Sequence, residues 1–165
     1  MRDSLTDWVR DLPLPEPLLV VLLAMTPIIE LRGAIPVAQQ LFDMSRWSAY
    51  WWSVLGNVIP VPLILWLFVP FVEWTERRWE GLHRLLVRLQ VRTETHHARR
   101  FERLRDLALV TFVAIPLPIT GAWTGSLAAV VFGVKRRRAI PLIGVGVMIA
   151  GLIVTLFLDA LGLAL

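Results

Sequence analysis

Pro27-Ile28-Ile29-Glu30-Leu31-Arg32-Gly33-Ala34-Ile35-Pro36 sets an acid, a base and a glycine between two prolines, within an otherwise apolar stretch. Proline brings no amide donor and disfavours helix at the residue before it. The stretch therefore reads as two half-helices, 17–29 and 33–42, joined by irregular backbone. A second interruption, Pro116-Leu117-Pro118-Ile119-Thr120-Gly121, separates 107–119 from 121–134 in the same way. None of these four segments is long enough to cross a bilayer as a helix, which takes about twenty residues. Two others are, 47–71 and 139–163. Trp47, Trp51 and Trp52 mark one end of the first and Trp74 and Trp79 lie past the other, as interfacial belts do.

Composition agrees with a membrane protein. Of 165 residues 56% are hydrophobic and the mean hydropathy is +0.65, above the roughly 45–50% apolar content of soluble domains. The chain has no cysteine, which excludes disulfides and thiolate metal sites. Asp3, Asp7 and Asp11 stand where a signal peptide would carry basic residues, so none is expected. Basic charge is segregated rather than spread. Nine of seventeen basic residues lie between Arg77 and Arg105, and four more form Lys135-Arg136-Arg137-Arg138. In an apolar chain such blocks mark the cytoplasmic side rather than a nucleic-acid surface.

The same charges bear on topology. If each interrupted pair spans, the linker and the Lys135–Arg138 loop fall on opposite faces, eleven basic residues against five. If the second pair is a re-entrant hairpin, leaving on the side it entered, both share one face with at least thirteen, which the positive-inside bias favours. The first pair is open on this criterion. An internal repeat speaks to it: Gly33 and Gly121 are 88 positions apart, Ala49 and Ala139 are 90, and Gly56 and Gly146 are 90. Each half reads as broken pair, short loop and long glycine-bearing span. The expected fold is thus all-α, one membrane domain of two inverted repeats (about 13–72 and 107–165), each a re-entrant hairpin plus a transmembrane helix. The linker, 73–106, reads as a basic amphipathic helix on the anionic inner leaflet, with Leu82, Leu85, Leu86 and Leu89 on one face and Arg77, Arg84 and Arg88 opposite.

Chemistry concentrates at the breaks. A charge at membrane depth costs about 2.5–3.5 kcal/mol on insertion scales, so it is paired, hydrated or functional. Glu30 and Arg32 could simply neutralise each other, but a carboxyl withdrawn from water holds a proton more readily and can carry one. Arg32 stays charged and suits an anionic head group, phosphate above all. Gly33 and Gly121 would each open a half-helix whose free N–H groups favour anions. Thr120, Thr124, Ser126 and Asn57 offer further polar contacts, with capping or helix–helix hydrogen bonding as the bland alternative. Pro27, Pro36, Pro116 and Pro118 make the breaks. No metal site, nucleotide motif or cofactor is expected, and His83, His96 and His97 all lie in the linker.

The segments 27–36, Gly56-Asn57-x-x-Pro60 and Ala114-Ile-Pro116-Leu-Pro118-x-Thr-Gly121-Ala-Trp123-Thr-Gly125 closely resemble the small multidrug export proteins over about 18–161. A more distant likeness is to the DedA-like (VTT-domain) proteins, which pair two opposed re-entrant hairpins with spanning helices. That resemblance implies proton-coupled movement of lipid phosphates, with an acid and arginines near the hairpins. Glu30 and Arg32 match in kind, whereas 116–125 carries neither arginine nor acid. The expected activity is transport of a small amphiphile or lipid-phosphate carrier across the inner (cytoplasmic) membrane by a multi-pass protein. Alternating access between the hairpins would use Glu30 for the proton and Arg32, Gly33, Asn57, Thr120, Gly121 and Thr124 for substrate. The alternative is a membrane-embedded enzyme or lipid-binding assembly factor. Membrane lipids are the expected partners, nucleic acid is not, and two spans make a thin wall that a homodimer would thicken.

Overall fold

A computed structural model describes residues 14–67, 98–116 and 121–163. Among them the chain is helical with no strand: α1 Glu16–Met25, α2 Glu30–Gln40, α3 Arg46–Val58, α4 Ala98–Ala114, α5 Ala122–Val131 and α6 Arg136–Ala160. The helix of α3 resumes after Ile59 and runs on to Leu67, 22 residues whose most apolar 18-residue stretch has a mean hydropathy of 1.4; in the 25 residues of α6 that stretch reaches 2.5. Both are long and apolar enough to cross a membrane. Leu152, Ile153, Leu156 and Phe157 on α6 are exposed, an apolar outer face that suits hydrocarbon better than water. Most of the basic linker, with Pro118, Thr120 and the three histidines, lies outside the described residues.

The described chain forms two compact units. One contains the residues up to Ile59 and those from Met148 on; the other contains Pro60 to Val147. In the first, α1, α2 and α3 pack against one another in all three pairings. Small side chains permit this. Ala24, Ala34, Ala38 and Ala49 are fully buried beside Leu19 and Val20. Gly56 marks the α1–α3 crossing, where an added Cβ would strike the Val21 carbonyl oxygen and lie 2.8 Å from the Ala24 Cβ. The end of α6 joins this unit antiparallel to α3. Arg46 meets Asp159 at 2.7 Å, Tyr50 Oη donates to the Met148 carbonyl at 3.0 Å, and Gly151 makes room for the Tyr50 ring.

In the second unit, α4 and α5 form a helical hairpin. Its open end is tied by Arg105 donating to the Phe132 carbonyl at 3.2 Å and by Arg138 donating to Glu102 at 2.8 Å. The Arg138 hydrogen bond holds the Glu102 carboxyl below the usual carboxylate range. Gly146 of α6 packs on α4, where its Cβ would sit 2.7 Å from the Val113 Cβ and 3.0 Å from the Val110 oxygen. Gly125 is also closed off by Val113, whereas Gly144 has nothing near its Cβ position.

Two expectations about the breaks need correction. The interruption of the first pair falls at Thr26–Ile29, and Glu30–Gly33 is already the first turn of α2. Thr26 is extended (φ −73°, ψ 142°) because Pro27 follows it. Pro36 does not break the chain but lies inside α2, where it removes one intrahelical hydrogen bond that the packing of α2 against α1 and α3 tolerates. Helix α4 runs unbroken through 106.

Candidate functional site

The first break is organised by Thr26. Its hydroxyl donates to the Leu23 carbonyl at 2.8 Å and accepts the Ile29 N–H at 3.3 Å, while its carbonyl accepts the Glu30 N–H at 3.1 Å. The turn leaves Ile28 at the hairpin tip, 92% exposed. Glu30 follows with φ +50°, a left-handed conformation that costs a non-glycine residue about 1–2 kcal/mol. The side chain so placed is buried, with the residue only 8% exposed. An acid is thus held out of water by a strained backbone, at the junction of two helices, rather than on a solvated face.

Arg32 approaches Glu30 at 4.0 Å, and both side chains are largely buried. That distance lets each charge offset the other but exceeds the 2.7–2.9 Å of a charge-assisted hydrogen bond. Gly33 does not open the helix as expected. It is helical, its N–H bonds the Ile29 carbonyl at 3.0 Å, and its lack of a Cβ admits the Ile29 side chain, 2.6 Å from where one would lie.

Asn57 is buried on α3, and neither its Oδ1 nor its Nδ2 has a hydrogen-bond partner among the described residues. Two residues that the sequence reading passed over share this condition. Ser53 and Gln39 are fully buried, and their side-chain polar atoms also lack partners among the described residues. Each such group costs about 1–3 kcal/mol when left unsatisfied. Ser53-x-x-x-Asn57 on an apolar segment long enough to span was a readable signal, since residues four apart share a helix face. Gln39, near the end of a mixed helix, offered none.

In the second unit the hydroxyls at the start of α5 are occupied locally. Gly121 caps α5 in extended conformation. The Thr124 hydroxyl accepts the Gly121 N–H at 3.0 Å and lies 3.4 Å from its carbonyl. Ser126 donates back to the Ala122 carbonyl at 2.6 Å. These hydroxyls satisfy the backbone at the start of α5, and Pro116 ends the described part of the arm before it. Among the described residues no group of His, Cys, Asp and Glu side chains is placed to hold a metal.

A family model described as "Putative small multi-drug export protein" matches residues 30–153, from Glu30 through most of α6. No curated protein and no solved structure matches the chain.

Proposed function

The chain belongs to that small multidrug export family, and on that premise we propose that it carries a small amphiphile, or the head group of a lipid phosphate, across the cytoplasmic membrane in exchange for protons. The observation that carries the reading is the buried Glu30, held beside Arg32 at the turn of a helical hairpin. Glu30 takes up and releases the proton. Arg32, with its planar fork of donors, receives the anionic or polar head. The neighbouring Asn57 level of α3 supplies neutral hydrogen bonds.

Re-entrant hairpins fit the dimensions. Helices α1, α2 and α5 have 10, 11 and 10 residues, about 15–17 Å each at 1.5 Å per residue, half of a core about 30 Å thick. For the second hairpin the Arg105–Phe132 and Glu102–Arg138 contacts support entry and exit at one end. The Arg46–Asp159 pair supports the same topology. If the second hairpin spanned, the start of α3 and the end of α6 would fall on opposite faces. Kinship of the halves as inverted repeats is supported by one recurring contact. Gly56 packs on α1 at Val21 and Ala24, and Gly146, 90 positions on, packs on α4 at Val110 and Val113. The DedA-like resemblance rests on the charged pair and this arrangement.

The test is flux in proteoliposomes, over a panel of cationic drugs and polyprenyl phosphates, with and without a pH gradient. Glu30→Gln keeps shape and hydrogen bonding but cannot cycle a proton, so it should abolish pH-driven flux while leaving substrate binding near wild type. Arg32→Lys keeps the charge but loses the fork, and should weaken binding of a phosphate substrate and spare a cationic drug. A merely structural pair predicts instead that each single change lowers thermal stability and that Glu30→Gln with Arg32→Met restores it. Full pH-driven flux in a well-folded Glu30→Gln protein would remove Glu30 from the mechanism.

A further inference from the structure

Gln39, Ser53 and Asn57 lie on two helices that pack together and are joined only by residues 41–45, so α2 and α3 run antiparallel. At 1.5 Å per residue, Gln39 sits about 1.5 Å from the end of α2 that faces the connection, and Glu30 about 15 Å from it. Measured from the start of α3, Ser53 lies about 10 Å in and Asn57 about 16 Å in. The three polar residues therefore descend from the open end of the hairpin to the level of Glu30. They bring five buried polar atoms, two from each carboxamide and one hydroxyl, with no hydrogen-bond partner among the described residues. Such atoms are seldom left orphaned in a fold. They both donate and accept and none is charged, which is the pattern that water satisfies and that a fixed anion or cation site does not need.

We propose that Gln39, Ser53 and Asn57 line a buried hydrated path that brings water, and with it protons, from the open end of the α1–α2 hairpin to Glu30. For the proton this rests on the role proposed for Glu30; for the water it rests on the buried polar atoms alone. Along the helix axis these depths separate Gln39 from Ser53 by about 9 Å and Ser53 from Asn57 by about 6 Å, spans that chains of one or two hydrogen-bonded waters bridge.

The chain has no cysteine, so single thiols report cleanly. Ser53→Cys, Asn57→Cys and Gln39→Cys are compared with Val54→Cys, a buried apolar position on α3 that is slightly more exposed than they are, by exposing the purified protein in proteoliposomes to silver ion. Free thiol is then counted after denaturation. Thiols ionise and react where water reaches them and stay inert in apolar packing. Reaction at Ser53→Cys and Asn57→Cys at least tenfold faster than at Val54→Cys is the expected result. Gln39→Leu should slow reaction at Asn57→Cys severalfold. Rates at all positions within about threefold of Val54→Cys overturn the path. Ser53→Cys is nearly isosteric and carries the test if the Asn57 variant does not fold. Reactive thiols combined with full flux in Glu30→Gln would leave the path and remove the proton carrier; inert thiols with flux lost in Glu30→Gln would do the reverse.

Discussion

Two glycines on the helices long and apolar enough to cross a membrane should answer the same substitution with opposite signs. At Gly56 an added methyl meets the backbone of α1: the Val21 carbonyl oxygen, the Val21 Cα at 2.9 Å and the Ala24 Cβ at 2.8 Å. Carbon atoms pack at about 3.5–4.0 Å, so α1 would have to withdraw by roughly 0.7–1.2 Å. Overpacking of this kind costs about 1–3 kcal/mol, and the obstacle is backbone rather than a flexible side chain, which puts the cost toward the upper end. Alanine recovers about 1 kcal/mol of helix propensity, so Gly56→Ala should lose a net ~1–2 kcal/mol. At 2–4 °C per kcal/mol for a chain of this size, its Tm should fall by about 2–8 °C. Gly144 has open space around its Cβ position, so Gly144→Ala keeps only the propensity gain and should raise Tm by about 2–4 °C. Thermal unfolding of the purified protein in detergent, followed by tryptophan fluorescence, measures both. A Gly56→Ala protein as stable as wild type would show that α1 does not cross α3 at Gly56.

If the two halves are related as proposed, Gly146→Ala should behave like Gly56→Ala, because it meets Val113 and the Val110 carbonyl of α4 in the same manner; a stabilised Gly146→Ala protein would count against the repeat. Arg46→Asp should lower Tm by about 0.5–4 °C, in line with ~0.2–1 kcal/mol for a partly exposed pair. The swap of Arg46→Asp with Asp159→Arg should recover it, and a swap no better than the single change would deny the antiparallel contact of α3 and α6. Glu102, its carboxyl held below the usual range first by the Arg138 hydrogen bond, contributes stability present above its unfolded pKa and lost as pH falls through its lower folded one. Glu102→Gln should therefore lose a little Tm at neutral pH and flatten the decline on the acid side; an unchanged acid limb would mean that the exposed contact does not hold the hairpin's open end.

Apolar run lengths, segregated basic charge and proline placement were legible in the linear order, because each acts through the backbone of its own segment. Length and hydropathy alone select the two helices that can cross a membrane, and Glu30 and Arg32 stand out because charge is costly in such surroundings. The position of the first break was half legible. Pro27 ends α1 at Thr26 as proline's clash with the preceding residue requires, whereas Pro36 carries the same signal and stays inside α2. A proline forbids one hydrogen bond, and only packing determines whether the helix survives its loss. The left-handed backbone at Glu30 and the burial of Gln39, Ser53 and Asn57 belong to tertiary structure alone. A carboxamide or hydroxyl suits surface, cap or interior equally well by composition. Which it occupies depends on what α1, α2 and α3 bring against it. The glycines make the same point: Gly56, Gly144 and Gly146 read alike in sequence, and only the approach of a neighbouring helix separates the two that must be glycine from the one that need not be.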